Sequence, residues 1–289
     1  MDIQELHGHK AWFESYVRRF YSGNEDHDRN IRLKEEHTTR VCDNMNELTE
    51  SLELPLPDRH LAEAIALFHD IGRFEQYRRY RTFLDRVSEN HARLGLRVMA
   101  ESRIHSRINP DEKRILFRSV AFHNAAVLPS RESPRSLLFM RLIRDADKLD
   151  IWRVVTDYYR EKEHHPNTTI ELGLPDTPEC SPNVLRSIRN ETFASISDVR
   201  TLNDFKLLQI SWVFDLNFPR SFRLLSERNY LPSIGSVLPS DPEVQSAVHH
   251  ACFYMQKRTG HGTFLPVCPA PENPAGLRDL HTQPDMENT

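Results

Sequence analysis

The chain has 289 residues, 38% of them apolar and 28% charged, an ordinary composition for a protein with a buried core. Lys and Arg total 38 against 42 Asp and Glu, a net charge of -4, which speaks against general nucleic-acid binding, where a basic excess is the rule. Glycine is scarce at 9 residues, about 3% against an average of about 7%, so tight turns are few and helices are favoured over a many-stranded barrel.

The opening MDIQELHGHKAW carries acidic residues and no apolar stretch, unlike a secretory signal. From 31 to 53, Leu33, His37, Val41, Met45, Leu48 and Leu52 recur at steps of three or four, the period of a helix with one buried face. Pro55 and Pro57 end it, and Asp58 is the expected N-cap of the next helix, LAEAIALFHDIG, where Leu61, Ile65 and His69 align before Gly72 breaks the run. A basic, aromatic stretch, RFEQYRRYRTFLDR, covers 73 to 86. Ser88 is the expected N-cap of ENHARLGLRVMAES, with His91, Leu94 and Val98 on one face. Pro110 and Asp111 open a helix in which Leu116, Val120, His123 and Val127 align, and a long helix runs from about 135 to 159.

Residues 160 to 182 read as a polar, proline-rich excursion. Trp212, Phe214, Phe218, Phe222 and Tyr230 mark helices between 201 and 231, and another spans 242 to 258. After Gly260, prolines at 266, 269, 271, 274 and 284 predict a disordered tail. The expectation is an all-α protein with one helical domain over 1–262, its core at about 31–158, a helical extension over 183–262 and the tail over 263–289. Cys42, Cys180, Cys252 and Cys268 are scattered, with no C-x-x-C to form a zinc ribbon. No run approaches the roughly 18 apolar residues of a membrane span. Neither G-x-G-x-x-G nor G-x-x-x-x-G-K-S/T occurs. A cytoplasmic location is expected, and a homo-oligomer is left open.

Chemistry enters with the histidines. His37, His69, His91 and His123 each fall on the apolar stripe of a different expected helix, so a bundle would gather four imidazoles in its interior. Buried imidazoles need a hydrogen-bond network or a metal to offset desolvation. Asp70 follows His69 directly, and its two oxygens could bridge two ions. The segment RDADKLD adds Asp145, Asp147 and Asp150, all at the margins of the stripe centred on Ala146 and Leu149, so periodicity does not choose among them.

The order His37, then His69-Asp70 in LFHDIGR, then Asp147 in RDADKLD resembles the HD-domain superfamily of metal-dependent phosphohydrolases over about residues 31–158. The resemblance implies an HD-type helical bundle with additional C-terminal helices, and it selects Asp147 as the ligand. It also matches His91 in ENHARLG and His123 in AFHNAA to the extra histidines of two-metal members, although Asn124 stands where such members often carry a second histidine. The implied set is His37, His69, Asp70 and Asp147, with His91 and His123 on a second ion. Such nitrogen and oxygen donors suit Mn, Co, Ni, Fe or Mg, one or two ions per chain, with positions left for water and a phosphoryl oxygen.

Residues 73 to 86 hold five arginines against Glu75 and Asp85, and arginine forks match phosphate oxygens. Arg73, three residues past Asp70, stands where relatives place Lys or Arg near the substrate; it also stands where nucleotide-pyrophosphatase members carry Glu. Arg73, Arg78 and Arg81 are thus expected to bind substrate. Asp70, Arg73 and Glu75 are expected to act in catalysis, Glu75 or Asp85 as general acid unless each only forms a salt bridge. The expected activity is hydrolysis of a phosphomonoester or phosphodiester of a small molecule, such as a nucleotide, by metal-activated water. The alternatives are an HD-type di-iron oxygenase with the same ligand set and a regulatory protein that binds metal or nucleotide without turnover.

Overall fold

In the computed structural model, which describes residues 1–102, 104, 108–161 and 171–259, every regular element among the described residues is a helix. Helix α1 (Ile3–Arg18) is fixed at its start by Asp2 and Glu5, each side chain accepting the other's backbone N–H. Helix α2 (Glu25–Ser51) starts ahead of the expected residue 31. Asn24 accepts the N–H of His27, and Glu25, Asp26 and Asp28 place carboxylates at the positive end of the helix dipole. Helix α3 (Leu56–Phe68) is entered from an extended Pro55, so Asp58 is not its N-cap; it lies inside the first turn and pairs with Arg135 at 2.5 Å.

Gly72 does not end a helix either. The chain turns at His69, Asp70 and Ile71, and Gly72 is the first residue of α4 (Gly72–Tyr80). Its missing side chain serves packing: a Cβ there would lie 2.2 Å from the His91 carbonyl oxygen and 2.5 Å from the Gly95 nitrogen, both in α5 (His91–Ser102). Asn90, not Ser88, caps α5, its Oδ1 accepting the Arg93 N–H at 3.0 Å, while the Ser88 hydroxyl donates to the Leu84 carbonyl at 2.7 Å. Helix α6 (Pro110–Phe122) stops short of Val127, which is 81% exposed and outside the stripe the periodicity gave it.

Helix α7 (Pro134–Glu161) is followed, beyond residues 162–170, by α8 (Pro182–Arg189), α9 (Leu202–Ser211), α10 (Pro219–Glu227), α11 (Tyr230–Gly235) and α12 (Pro242–Arg258). Most of the expected 160–182 excursion's first half and the expected tail over 263–289 lie outside the described residues. No helix among the described residues is long and apolar enough to cross a membrane.

Helix α2 packs along α3 and α7, α6 lies on α7, and α4 on α5. Val41, Met45 and Leu48 of α2 meet the core formed with Leu61, Ile65 and Phe68 of α3 and Phe139, Ile143 and Ala146 of α7, all fully buried. The C-terminal helices extend this core. Trp152 Nε1 donates to the Gln209 carbonyl at 2.9 Å. The buried Asp145 carboxylate accepts the backbone N–H groups of Asn217 (2.9 Å) and Phe218 (3.2 Å) and the Ser221 hydroxyl (2.7 Å), pinning the start of α10 to α7. A buried carboxylate is tolerated because each oxygen is met by donors.

The two glycine environments make opposite stability predictions. Gly72→Ala forces backbone against backbone and should lower the urea midpoint by about 1–3 kcal/mol of stability. Gly8→Ala in α1, where nothing lies within 4 Å of the added carbon, should raise it by up to about 1 kcal/mol through helix propensity alone.

Candidate metal centre

Five segments deliver the polar interior. His37 comes from mid-α2, His69 and Asp70 from the turn after α3, His91 from the first residue of α5, His123 from the C-cap of α6 and Asp147 from mid-α7. All four histidines are buried, none more than 4% exposed. Each ring is fixed through Nδ1. His69 and His123 sit where helices leave carbonyls unpaired, and their Nδ1 groups donate to Ala66 O (2.7 Å) and Val120 O (2.8 Å). His37 Nδ1 donates to Asp150 at 2.6 Å, and Asp150 is held in turn by Arg40 at 2.5 and 3.2 Å. His91 Nδ1 donates to Asp85 at 2.8 Å, and Asp85 accepts from Arg73 (3.1 Å) and Gln76 (2.9 Å).

A carbonyl or an ionised carboxylate only accepts, so Nδ1 carries the proton in each ring and Nε2 presents a lone pair. These lone pairs converge in two couples: His37 and His69 Nε2 are 3.3 Å apart, and His91 and His123 Nε2 are 3.0 Å apart. Asp70 lies between the couples. Its Oδ2 is 3.6 and 3.9 Å from the Nε2 atoms of His37 and His69, and its Oδ1 is 3.4 and 3.7 Å from those of His91 and His123. Asp147 Oδ1 adds a fourth donor to the first couple, 3.2 Å from His37 and 3.7 Å from His69.

Buried lone pairs that face one another are unfavourable unless a cation or a proton stands between them. Separations near 3 Å are those of neighbouring ligands around an ion with bonds of about 2.1 Å, so the donor set fits a metal. Two triads could each hold an ion, His37–His69–Asp70 and Asp70–His91–His123, with Asp70 common to both.

The charge balance is equally specific. Burial opposes ionisation of Asp70, but the Lys34 ammonium at 2.9 Å from Oδ2 and Arg73 at 3.3 Å from Oδ1, with His69, hold its carboxyl well below the usual carboxylate range. Asp147 is half-buried, and although burial opposes its ionisation too, the adjoining His37 and His69 rings hold its carboxyl well below the usual carboxylate range. Burial and the nearby Lys34 charge resist protonation of His37, yet Asp147 and Asp150 raise its pKa above the ordinary imidazole value. At His91, burial and then the Arg73 charge push the pKa down to about 3, overriding Asp85. His37 thus attracts a proton in the absence of a cation, while His91 stays neutral.

Other sequence-predicted residues are placed differently. Arg73 reaches Asp70, but its Nη1 is shared among Gln76 Oε1 (2.9 Å), the Phe83 carbonyl (2.5 Å) and Asp85, so it clamps the ligand frame as well as facing the site. Glu75 does not join the cluster. It lies on the opposite face of α4, where Oε1 accepts from Arg78 and Arg79 at 2.6 Å each, and Arg78 stacks on Phe20. Arg81, with left-handed φ of 54°, turns to His27 and the Tyr77 ring. The helical period is the reason: residues 73 and 76 face the cluster, so 75, 78 and 79 must face away. Asn124 is exposed and reaches Asp85 and His91 Nδ1 only at 3.5 Å, adding no donor to the centre.

Arg40 and Lys34 add to the residues expected from the sequence; both lie three residues from His37 and therefore on its face of α2. The three acidic residues of RDADKLD divide the work: Asp145 holds α10, Asp147 faces the imidazoles and Asp150 orients His37. A family model described as the HD domain matches residues 35–152. No curated protein and no solved structure matches the chain.

Substitutions that preserve volume should separate these roles in a metal titration against a competing chelator. Asp150→Asn removes the acceptor behind His37 and Asp85→Asn the one behind His91, and each should weaken binding about 10–100-fold. Lys34→Met should shift affinity the other way, because the ammonium competes with a cation for Asp70 Oδ2.

Proposed function

We propose, from the HD domain carried by residues 35–152, that this chain is a metal-dependent phosphohydrolase acting on a phosphomonoester or phosphodiester of a small molecule. The observation that carries the proposal is the position of Asp70, with one oxygen toward each histidine couple and both beside a Lys or Arg. His37, His69, Asp70 and Asp147 would hold one divalent ion, and Asp70, His91 and His123 a second. When bound, such ions supply Lewis acidity toward a phosphoryl oxygen and lower the pKa of water toward neutrality.

The chain's own residues then have distinct tasks. Asp150 and Asp85 keep the imidazole tautomers that leave Nε2 free to ligate. Lys34, partly exposed and lying over the Phe83 ring, would bind a substrate phosphate oxygen beside Asp70. Arg73 holds Asp70 and Asp85 in one frame, so its effect is chiefly on positioning. Glu75 has no part in proton transfer to the leaving group, being turned away and bonded to Arg78 and Arg79. The C-terminal helices belong to the same domain as the metal centre, since α7 serves both through adjacent turns.

The same four imidazoles and two carboxylates would also accommodate a di-iron centre, the second reading. Elemental analysis of protein purified without added metal tests it: two irons per chain with dioxygen consumption would favour an oxygenase. For the leading proposal, the chain loaded with manganese, cobalt or nickel should release phosphate from a member of a panel of nucleotides, sugar phosphates, cyclic dinucleotides and nitrophenyl phosphates. Asp70→Asn should reduce that rate to background and Lys34→Met should raise KM. Absence of turnover on every ester, with metal bound, refutes hydrolysis.

A further inference from the structure

On the far side of α4 and α5 from the metal centre, a groove of about 450 Å³ opens between these helices and α1. That size lies within the range of small-molecule sites. One side is aromatic: Trp12 is stacked on Tyr16 with ring centroids 4.9 Å apart and planes at 17°, and the buried Leu94 and Val98 lie behind the lining. The other end is charged. Arg19, Arg78 and Arg79 line it together with the buried Glu75.

The charges do not balance. Arg78 and Arg79 both donate to the same Glu75 oxygen at 2.6 Å, while Arg19 has the Tyr16 ring beneath it at 5.6 Å and no carboxylate partner among the described residues. Two guanidinium groups thus share one carboxylate and a third has none. Arg97, also in the wall, is turned to Glu89 at 2.6 Å, and Glu101 lies along the same helix. In a chain of net charge -4, this is a localised cationic end joined to an aromatic side. A phosphomonoester carries a charge of about -1.5 to -2 at neutral pH and offers three acceptor oxygens to arginine forks.

We propose that this groove is a second binding site, separate from the metal centre, for a phosphomonoester of mononucleotide size. Its phosphate is held by Arg19, Arg78 and Arg79, and its ring lies against Trp12. Arg78 and Arg79 serve this site rather than the metal centre, because the helical period turns them to the face of α4 opposite Arg73.

Calorimetric titration of the full chain in EDTA, with adenosine, guanosine and uridine monophosphate and with inorganic phosphate, tests the assignment independently of the metal centre. At least one nucleotide should bind at one site per chain, more tightly than inorganic phosphate, and His37→Ala should leave that binding in place. Arg19→Gln and Arg79→Gln should each weaken it at least about tenfold (about 1.4 kcal/mol). Arg19 touches only the Tyr16 ring, so its variant carries the test even if Arg79→Gln lowers the melting temperature. Three results would each overturn the proposal: no nucleotide bound in EDTA, binding lost in His37→Ala, or an affinity unchanged by Arg19→Gln.

Discussion

The hydrogen bond at Nδ1 of each buried histidine is the constraint on which the centre depends. An imidazole has two nitrogens and one proton when neutral, so fixing the proton on one side fixes the lone pair on the other. Two of the four acceptors are carbonyls at the ends of α3 and α6, where a helix leaves such groups unpaired in any case. The other two are carboxylates, Asp150 and Asp85, each anchored by an arginine. Four lone pairs then point inward around Asp70, and the interior is arranged for positive charge before any cation arrives.

That arrangement explains features that otherwise look unrelated. Gly72 has no side chain because α4 must cross α5 closely enough for His91 to begin its helix beside Asp70; backbone contact at Gly95 sets the distance. Lys34 and Arg73 flank Asp70 because a buried carboxylate without a cation needs neutralisation. The neutral His91 and the proton-attracting His37 follow from the same placement of charges, Arg73 beside one and Asp147 beside the other. Asp145, Asp147 and Asp150 of helix α7 face three ways, so a single rigid element joins the centre to the C-terminal helices.

Helix α4 shows how one short element can serve two surfaces. Arg73 and Gln76 support the frame around Asp85 and His91, whereas Glu75, Arg78 and Arg79 line the groove toward α1. Sequence proximity to Asp70 grouped all of these arginines together; a period of 3.6 residues separates them.

Local pattern determined a good deal. The recurrence of Val41, Met45 and Leu48 with His37, and of Leu61 and Ile65 with His69, is a property of adjacent residues in one helix, so the helices and their buried histidines were legible without any knowledge of packing. Helix starts were less so: Asp58 and Ser88 have capping side chains but not the backbone position, which Pro55 and Asn90 take instead. The division of labour among Asp145, Asp147 and Asp150 was beyond reach, because all three lie at the margin of one stripe. Only the neighbours that α2, α3 and α10 bring to α7 assign each a partner. Likewise the fates of Glu75, Arg78 and Arg81 rested on which side of α4 faces Asp70. A helix's own sequence defines its faces, but the packing of distant segments decides what each face meets.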